Sequence, residues 1–298
     1  MLKREGMAVP LAVLASILLL ALGAGTLWDL QIANALYVGK STPFGDFFAA
    51  FGELPAYFLL HSAGIILWVH RGKRTKFQSI FLLLGSLALI LLGIFGEFCE
   101  YRESMPQTRL ADAVIVTVIL FAANTAQTLF LLRSVSKDDA VRFVMMVLCV
   151  VAVSMLAANL VKIPWARPRM QFLREEPSAA FVPWYRPGDP QKAEFMARGV
   201  KADAFRSFPS GHVTTAAASL LYFLLITFHR FFDGKGRLIL ALSVLWTALV
   251  AVSRMTLGAH FLTDVVTSWI FVLVLFLLFL PLVYRDSPVY KLLLRLLS

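Results

Sequence analysis

Three short stretches of this chain carry residue types that can bind and transfer a phosphoryl group. The first is Lys162-Ile163-Pro164-Trp165-Ala166-Arg167-Pro168-Arg169-Met170. Its prolines stiffen the backbone between the cations. A rigid cationic corner suits an anion, because a guanidinium offers a planar fork to phosphate oxygens. Basic side chains snorkelling at a membrane edge would give the same composition. The second stretch is Ser207-Phe208-Pro209-Ser210-Gly211-His212. It reads as the opening of a helix, where small Ser210 and Gly211 leave backbone N–H groups open to an anion and His212 faces whatever binds. A plain N-cap beside an interfacial histidine is the alternative. The third is Ser253-Arg254 followed by His260 and Asp264. Four residues apart, His260 and Asp264 share a face if they are helical. A carboxylate on one imidazole nitrogen fixes the tautomer and leaves the other nitrogen basic. A structural hydrogen bond would also explain the pair, although such a pair is costly at a membrane unless used.

Together the stretches supply cations, a helix N-terminus, a nucleophile with an orienting acid, and a second histidine for proton transfer. Two histidines and one aspartate could also form a metal-binding facial triad. The surrounding Lys and Arg argue against a cation in the same place, so neither a metal nor a cofactor is expected.

The elements that must position these residues are membrane helices. The 298 residues are 59% hydrophobic and only 15% charged, with a mean hydropathy of +0.76. A soluble domain carries roughly a quarter charged residues. Apolar runs long enough to span recur at 8–28, 48–69, 77–98, 111–132, 142–162, 210–228, 237–254 and 261–284, each near the roughly 20 residues a crossing needs. The first is too long for a signal-peptide core and is read as an uncleaved helix. Glu53, Pro55 and His61 make the second the weakest, and Glu97 is expected near the interface. The fold class is therefore all-α, a polytopic bundle of about eight transmembrane helices.

The net charge of +10 does not indicate nucleic acid. Basic residues gather before helix one, between two and three, four and five, six and seven, and after eight. These positions fall on one side of an alternating bundle, which the positive-inside rule makes cytoplasmic together with both termini. The connection 163–209 breaks the bias. It lies on the outer side yet holds eight cations, from Arg167 to Arg206. Its aromatic residues argue against disorder, and an anionic ligand would explain its charge. The tail 285–298 reads as an amphipathic interfacial helix. Cys99 and Cys149 give neither a metal spacing nor a disulfide framework. His61, His70 and His229 are expected to be packed or interfacial, and Asn124, Gln127 and Asn159 to bond between helices.

The order KIPWARPR, PSGH and SR-x5-H-x3-D resembles the three-part signature of the type-2 phosphatidic acid phosphatase family, which is related to the vanadium haloperoxidases. The resemblance covers about 162–264. It implies a family core of six helices and a division into N-terminal helices at 1–140, a catalytic region at 141–284 and the tail. It also implies His260 as the nucleophile of a phosphohistidine, Asp264 as its partner, and His212 as acid and then base. Lys162, Arg169, Arg254, Ser210 and the Gly211 N–H would hold the phosphate. Met170 stands where the family pattern has proline, and Arg167-Pro168 offers an alternative register. The implied activity is metal-independent hydrolysis of a lipid phosphomonoester or pyrophosphate at the outer leaflet of a plasma membrane of bacterial type. The substrate would be a lipid phosphate, with membrane lipids as the surroundings. Phosphotransfer at the same site, or lipid transport through a cationic pocket, are the alternatives.

Overall fold

The computed structural model describes residues 7–70 and 76–284, and among these every regular element is helical. The expected tail at 285–298 lies outside the described residues. Among the described residues, seven helices are long and apolar enough to cross a membrane: Ala8–Leu36, Pro43–Val69, Lys76–Ser104, Leu110–Leu131, Lys137–Glu175, Gly236–Thr256 and Leu262–Tyr284. The eighth expected span is a shorter apolar segment, Gly211–Ile226. It opens as α-helix and continues from Ala218 as 3-10 helix. The 3-10 rise is longer, about 2.0 Å per residue against about 1.5 Å, so sixteen residues still reach roughly 28 Å.

The first helix, α1 (Ala8–Leu36), runs well past the expected end at residue 28, with non-helical dihedrals at Trp28. The second span is two helices, α2 (Pro43–Phe51) and α3 (Leu54–Val69), interrupted at Gly52 and Glu53. α4 (Lys76–Ser104) and α5 (Leu110–Leu131) follow. The fifth span is α6 (Lys137–Val147), a π turn at Leu148–Ala152, and α7 (Val153–Trp165).

The connection 163–209 is folded. It contains α8 (Met170–Glu175), α9 (Lys192–Ala197) and a 3-10 turn at Ala202–Phe205. Phe172, Phe195 and Phe205 form a small core of their own within it. Trp165 stacks on Phe208 with centroids 5.0 Å apart, which ties the start of the connection to its end. The last three helices are α10 (Gly211–Ala217), α11 (Gly236–Thr256) and α12 (Leu262–Tyr284).

Small residues set the closest helix contacts, as expected where lipid gives no hydrophobic drive between helices. A Cβ on Gly64 would meet Ile90 at 2.7 Å, one on Gly93 the Tyr57 carbonyl at 2.7 Å, and one on Gly96 the Tyr57 ring at 2.2 Å. α3 and α4 therefore lie backbone to backbone, with the Ser86 hydroxyl donating to the Gly64 carbonyl at 2.8 Å. Asn124 of α5 reaches across to His61 of α3 at 2.9 Å, so both expectations for these residues hold. Gly25 lets α1 approach α12, since a Cβ there would meet the Thr263 methyl at 2.7 Å.

Candidate active site

α7 and α11 end, and α10 and α12 begin, at one end of the bundle, where the break between α2 and α3 and the last turns of α4 also lie. They enclose a cavity of about 240 Å³ lined by Lys162, Arg169, Gly211, His212 and His260, with Glu53, Tyr57 and Glu100 opposite. Five of the residues singled out by spacing therefore share one cavity.

His260 is 3% exposed and sits in the turn before α12. Its Nδ1 lies 2.5 Å from the Ser207 carbonyl oxygen. A carbonyl can only accept, so Nδ1 carries the proton and Nε2 keeps the lone pair. Burial pushes its pKa down to about 4, with Asp264 opposing that shift and Arg169 and Lys162 reinforcing it. At neutral pH His260 is an uncharged imidazole.

The expected His260–Asp264 hydrogen bond on a shared helical face is not formed. His260 precedes the helix, and the two side chains approach only to 3.8 Å, too far for a hydrogen bond. Asp264 is occupied elsewhere. It accepts from the Phe261 N–H at 2.8 Å, the Ser207 hydroxyl at 2.5 Å and Arg167 Nη1 at 2.5 Å. It thus positions His260 through Ser207, whose hydroxyl it holds and whose carbonyl holds the imidazole.

Of the two arginines in the first stretch, Arg169 lines the cavity and Arg167 does not. The Arg167 guanidinium is fully buried and bridges Asp264 to Asp29 of α1, the latter at 2.8 Å. It also donates to the Val182 carbonyl and the Thr263 hydroxyl, and lies 4.3 Å from the Phe261 ring centroid. Four of its five N–H donors are engaged inside the fold, and it does not line the cavity. Arg169, by contrast, pairs with Asp203 at 2.9 Å through Nη2, while its buried Nε has no partner. Buried polar atoms are rarely left unmatched, and this one belongs to a residue that lines the cavity.

Gly211 leaves room for the Lys162 ammonium. A Cβ there would stand 3.0 Å from the lysine Nζ. Two expected phosphate ligands do not line the cavity. The Ser210 hydroxyl caps α10 by accepting the Val213 N–H at 3.4 Å. Arg254 is 5% exposed and donates to the Gly45 carbonyl at 2.8 Å, which ties α11 to α2. Met170 takes the first position of α8, where proline would also fit. Its side chain instead fills an apolar cluster with Ala33 and Phe261 beside His260.

His212 points its Nδ1 at Glu53 Oε1, 3.2 Å away, and its Nε2 is 3.7 Å from Glu100. Glu53, Glu100 and His212 offer ligand atoms within 4.8 Å of one another, a spacing that would admit a metal ion. Spacing alone did not find Glu53, Glu100 or Asp29. Glu53 alone gave a signal, as a carboxylate inside an apolar run, which is costly without a use; Asp29 and Glu100 fall just beyond the ends of theirs.

Residues 143–288 match the family model described as the PAP2 superfamily. This region belongs to the PAP2 superfamily. The PAP2 match contains all three signature stretches and leaves α1 to α5 outside it. No curated protein and no solved structure matches the chain. PAP2 membership together with the membrane helices supports a phosphatase in general terms.

Proposed function

We propose that this protein hydrolyses a lipid phosphate through a phosphohistidine on His260. The observation that carries the reading is the cavity wall itself. A neutral imidazole stands beside Lys162, an Arg169 Nε without a partner and a second histidine whose Nε2 has none either.

The chemistry follows from those groups. His260 Nε2 attacks phosphorus as the bond to the leaving oxygen breaks. His212 gives its Nε2 proton to that oxygen. Lys162 and Arg169 hold the equatorial oxygens, whose charge grows in the transition state. Water then attacks phosphorus, His212 takes its proton, and the N–P bond breaks to release phosphate and regenerate neutral His260.

A lipid substrate is supported by an apolar groove of about 180 Å³ along α7, α10 and α12, which shares Ala158 and Thr214 with the cavity. A chain lying there places its headgroup at the histidines. The basic residues between helices support a site on the outer face.

The test is phosphate release by the purified protein from a panel of lipid phosphomonoesters and pyrophosphates in EDTA. The expected result is turnover of at least one substrate, inhibition by vanadate, and none by His260→Ala. An acceptor lipid added to the same assay separates hydrolysis from transfer. A His260→Ala variant with full activity would overturn the mechanism.

A further inference from the structure

Glu53 has no role in the reaction as described so far, yet its carboxylate, held by the Tyr57 and Thr215 hydroxyls, faces a histidine of the site. Glu53 stands at the N-cap of α3 but its side chain makes no capping hydrogen bond. A carboxylate at that position ordinarily accepts from the first turn of its own helix. This one is turned away, into the cavity. Oε2 accepts from the Tyr57 hydroxyl at 2.8 Å, and Oε1 faces His212 Nδ1 at 3.2 Å.

The placement is rigid. The break that frees Glu53 is pinned from the other half of the chain, because the Trp246 indole of α11 donates to the Gly52 carbonyl at 3.1 Å. Tyr57 is pinned by α4, because its ring lies where Gly96 has no side chain. Glu97 and Glu100 are the neighbouring carboxylates, and Lys162 and Arg254 the neighbouring cations.

We propose that Glu53 is the positioning residue for His212, a carboxylate–histidine dyad whose carboxylate is supplied by the N-terminal helices that lie outside the family match. The inference rests on the phosphatase reading above. Glu53 holds the proton on Nδ1, so the proton in transit is always on Nε2. As acid, His212 carries both protons and its charge is matched by the carboxylate. After Nε2 has protonated the leaving oxygen, the Nδ1–H tautomer remains, and the Nε2 lone pair is ready for the proton of the attacking water. Loose apo geometry at such a contact is expected to tighten with substrate.

Dependence on the leaving group separates this role from a structural one. An alkoxide leaves only with a proton, whereas para-nitrophenolate leaves without one. Glu53→Gln should lower kcat on a lipid alkyl phosphate by roughly 10- to 100-fold, with KM little changed. Its pre-steady-state burst of para-nitrophenol from para-nitrophenyl phosphate should stay near that of the wild type. Tyr57→Phe, which removes only the hydroxyl on Oε2, should show the same pattern more weakly and keeps the test open if Glu53→Gln does not fold. Equal losses on both leaving groups, no loss on either, or loss of wild-type activity in EDTA with recovery on adding magnesium would each overturn the dyad. The last outcome would make Glu53 a metal ligand. A wild type that releases phosphate from nothing would remove the phosphatase reading and the dyad with it.

Discussion

Arg167 and Arg169 are two residues apart and do different work, and burial decides which does what. Arg167 balances two carboxylates that are themselves 4% and 0% exposed. Replacing it by leucine leaves Asp29 and Asp264 facing each other without their shared cation, a loss of about 3–5 kcal/mol. The thermal midpoint in detergent should collapse. Arg169 pairs with an Asp203 that is 61% exposed. That contact contributes about 0–1 kcal/mol, so Arg169→Ala should keep its midpoint and lose activity with kcat falling as well as KM rising. His260 gives a pH prediction. Its ordinary pKa is 6.5 and burial takes it to about 4 in the folded protein. Between those values the unfolded chain binds a proton that the folded chain does not, so stability falls as pH falls through the window. The contribution is on the order of 3 kcal/mol. From pH 6.5 to 4 the wild-type midpoint should drop more steeply than that of His260→Asn, and parallel curves would contradict a buried neutral imidazole. The sequence made Lys162, Arg169, Gly211, His212 and His260 legible, because each lies in a short motif. It hid Arg167's role, because its partner Asp29 is 138 residues away and no local spacing encodes that contact.

At the scale of elements, hydropathy located all eight apolar segments but misjudged how two of them end. Asp29 made residue 28 look like a terminus, yet α1 continues because Arg167 neutralises that aspartate inside the bundle. Glu53 and Pro55 marked the second span as weak. The structure turns that weakness into the break that points a carboxylate at His212. The close α3–α4 contact was not legible, because glycines carry no apolar periodicity and their use is visible only against a partner helix. It is testable by a pair of substitutions on one helix. Gly96→Ala puts a methyl 2.2 Å from the Tyr57 ring, whereas Gly85→Ala meets nothing within 4 Å. Gly96→Ala should lose about 1–3 kcal/mol by overpacking and lower kcat as Tyr57 and Glu53 shift. Gly85→Ala should be neutral or gain up to about 1 kcal/mol in helix propensity. Thermal midpoints and phosphate release on both variants check the contrast, and equal behaviour would contradict the close packing.

For the whole molecule, the boundary drawn by the family match does not bound the cavity. Residues 143–288 hold both histidines and the two cations that line it. The opposite wall, Glu53, Tyr57 and Glu100, comes from α2 to α4, and one of the two carboxylates on Arg167 comes from α1. A fragment beginning at residue 137 therefore keeps every motif residue and loses half of the buried charge balance, since Arg167 retains Asp264 alone. That fragment should reach the membrane, unfold at a lower temperature than the full chain and release no phosphate from lipid. Co-expression with the fragment ending at residue 136 should restore activity, because the cut falls between α5 and α6 and the two pieces meet through packed helices, α1 on α12, α3 on α6 and α2 on α11, rather than through the severed peptide. Restoration by wild-type but not by Asp29→Leu first fragments would tie the rescue to the Arg167 pair. An active C-terminal fragment on its own would show that the N-terminal helices do no more than surround the site.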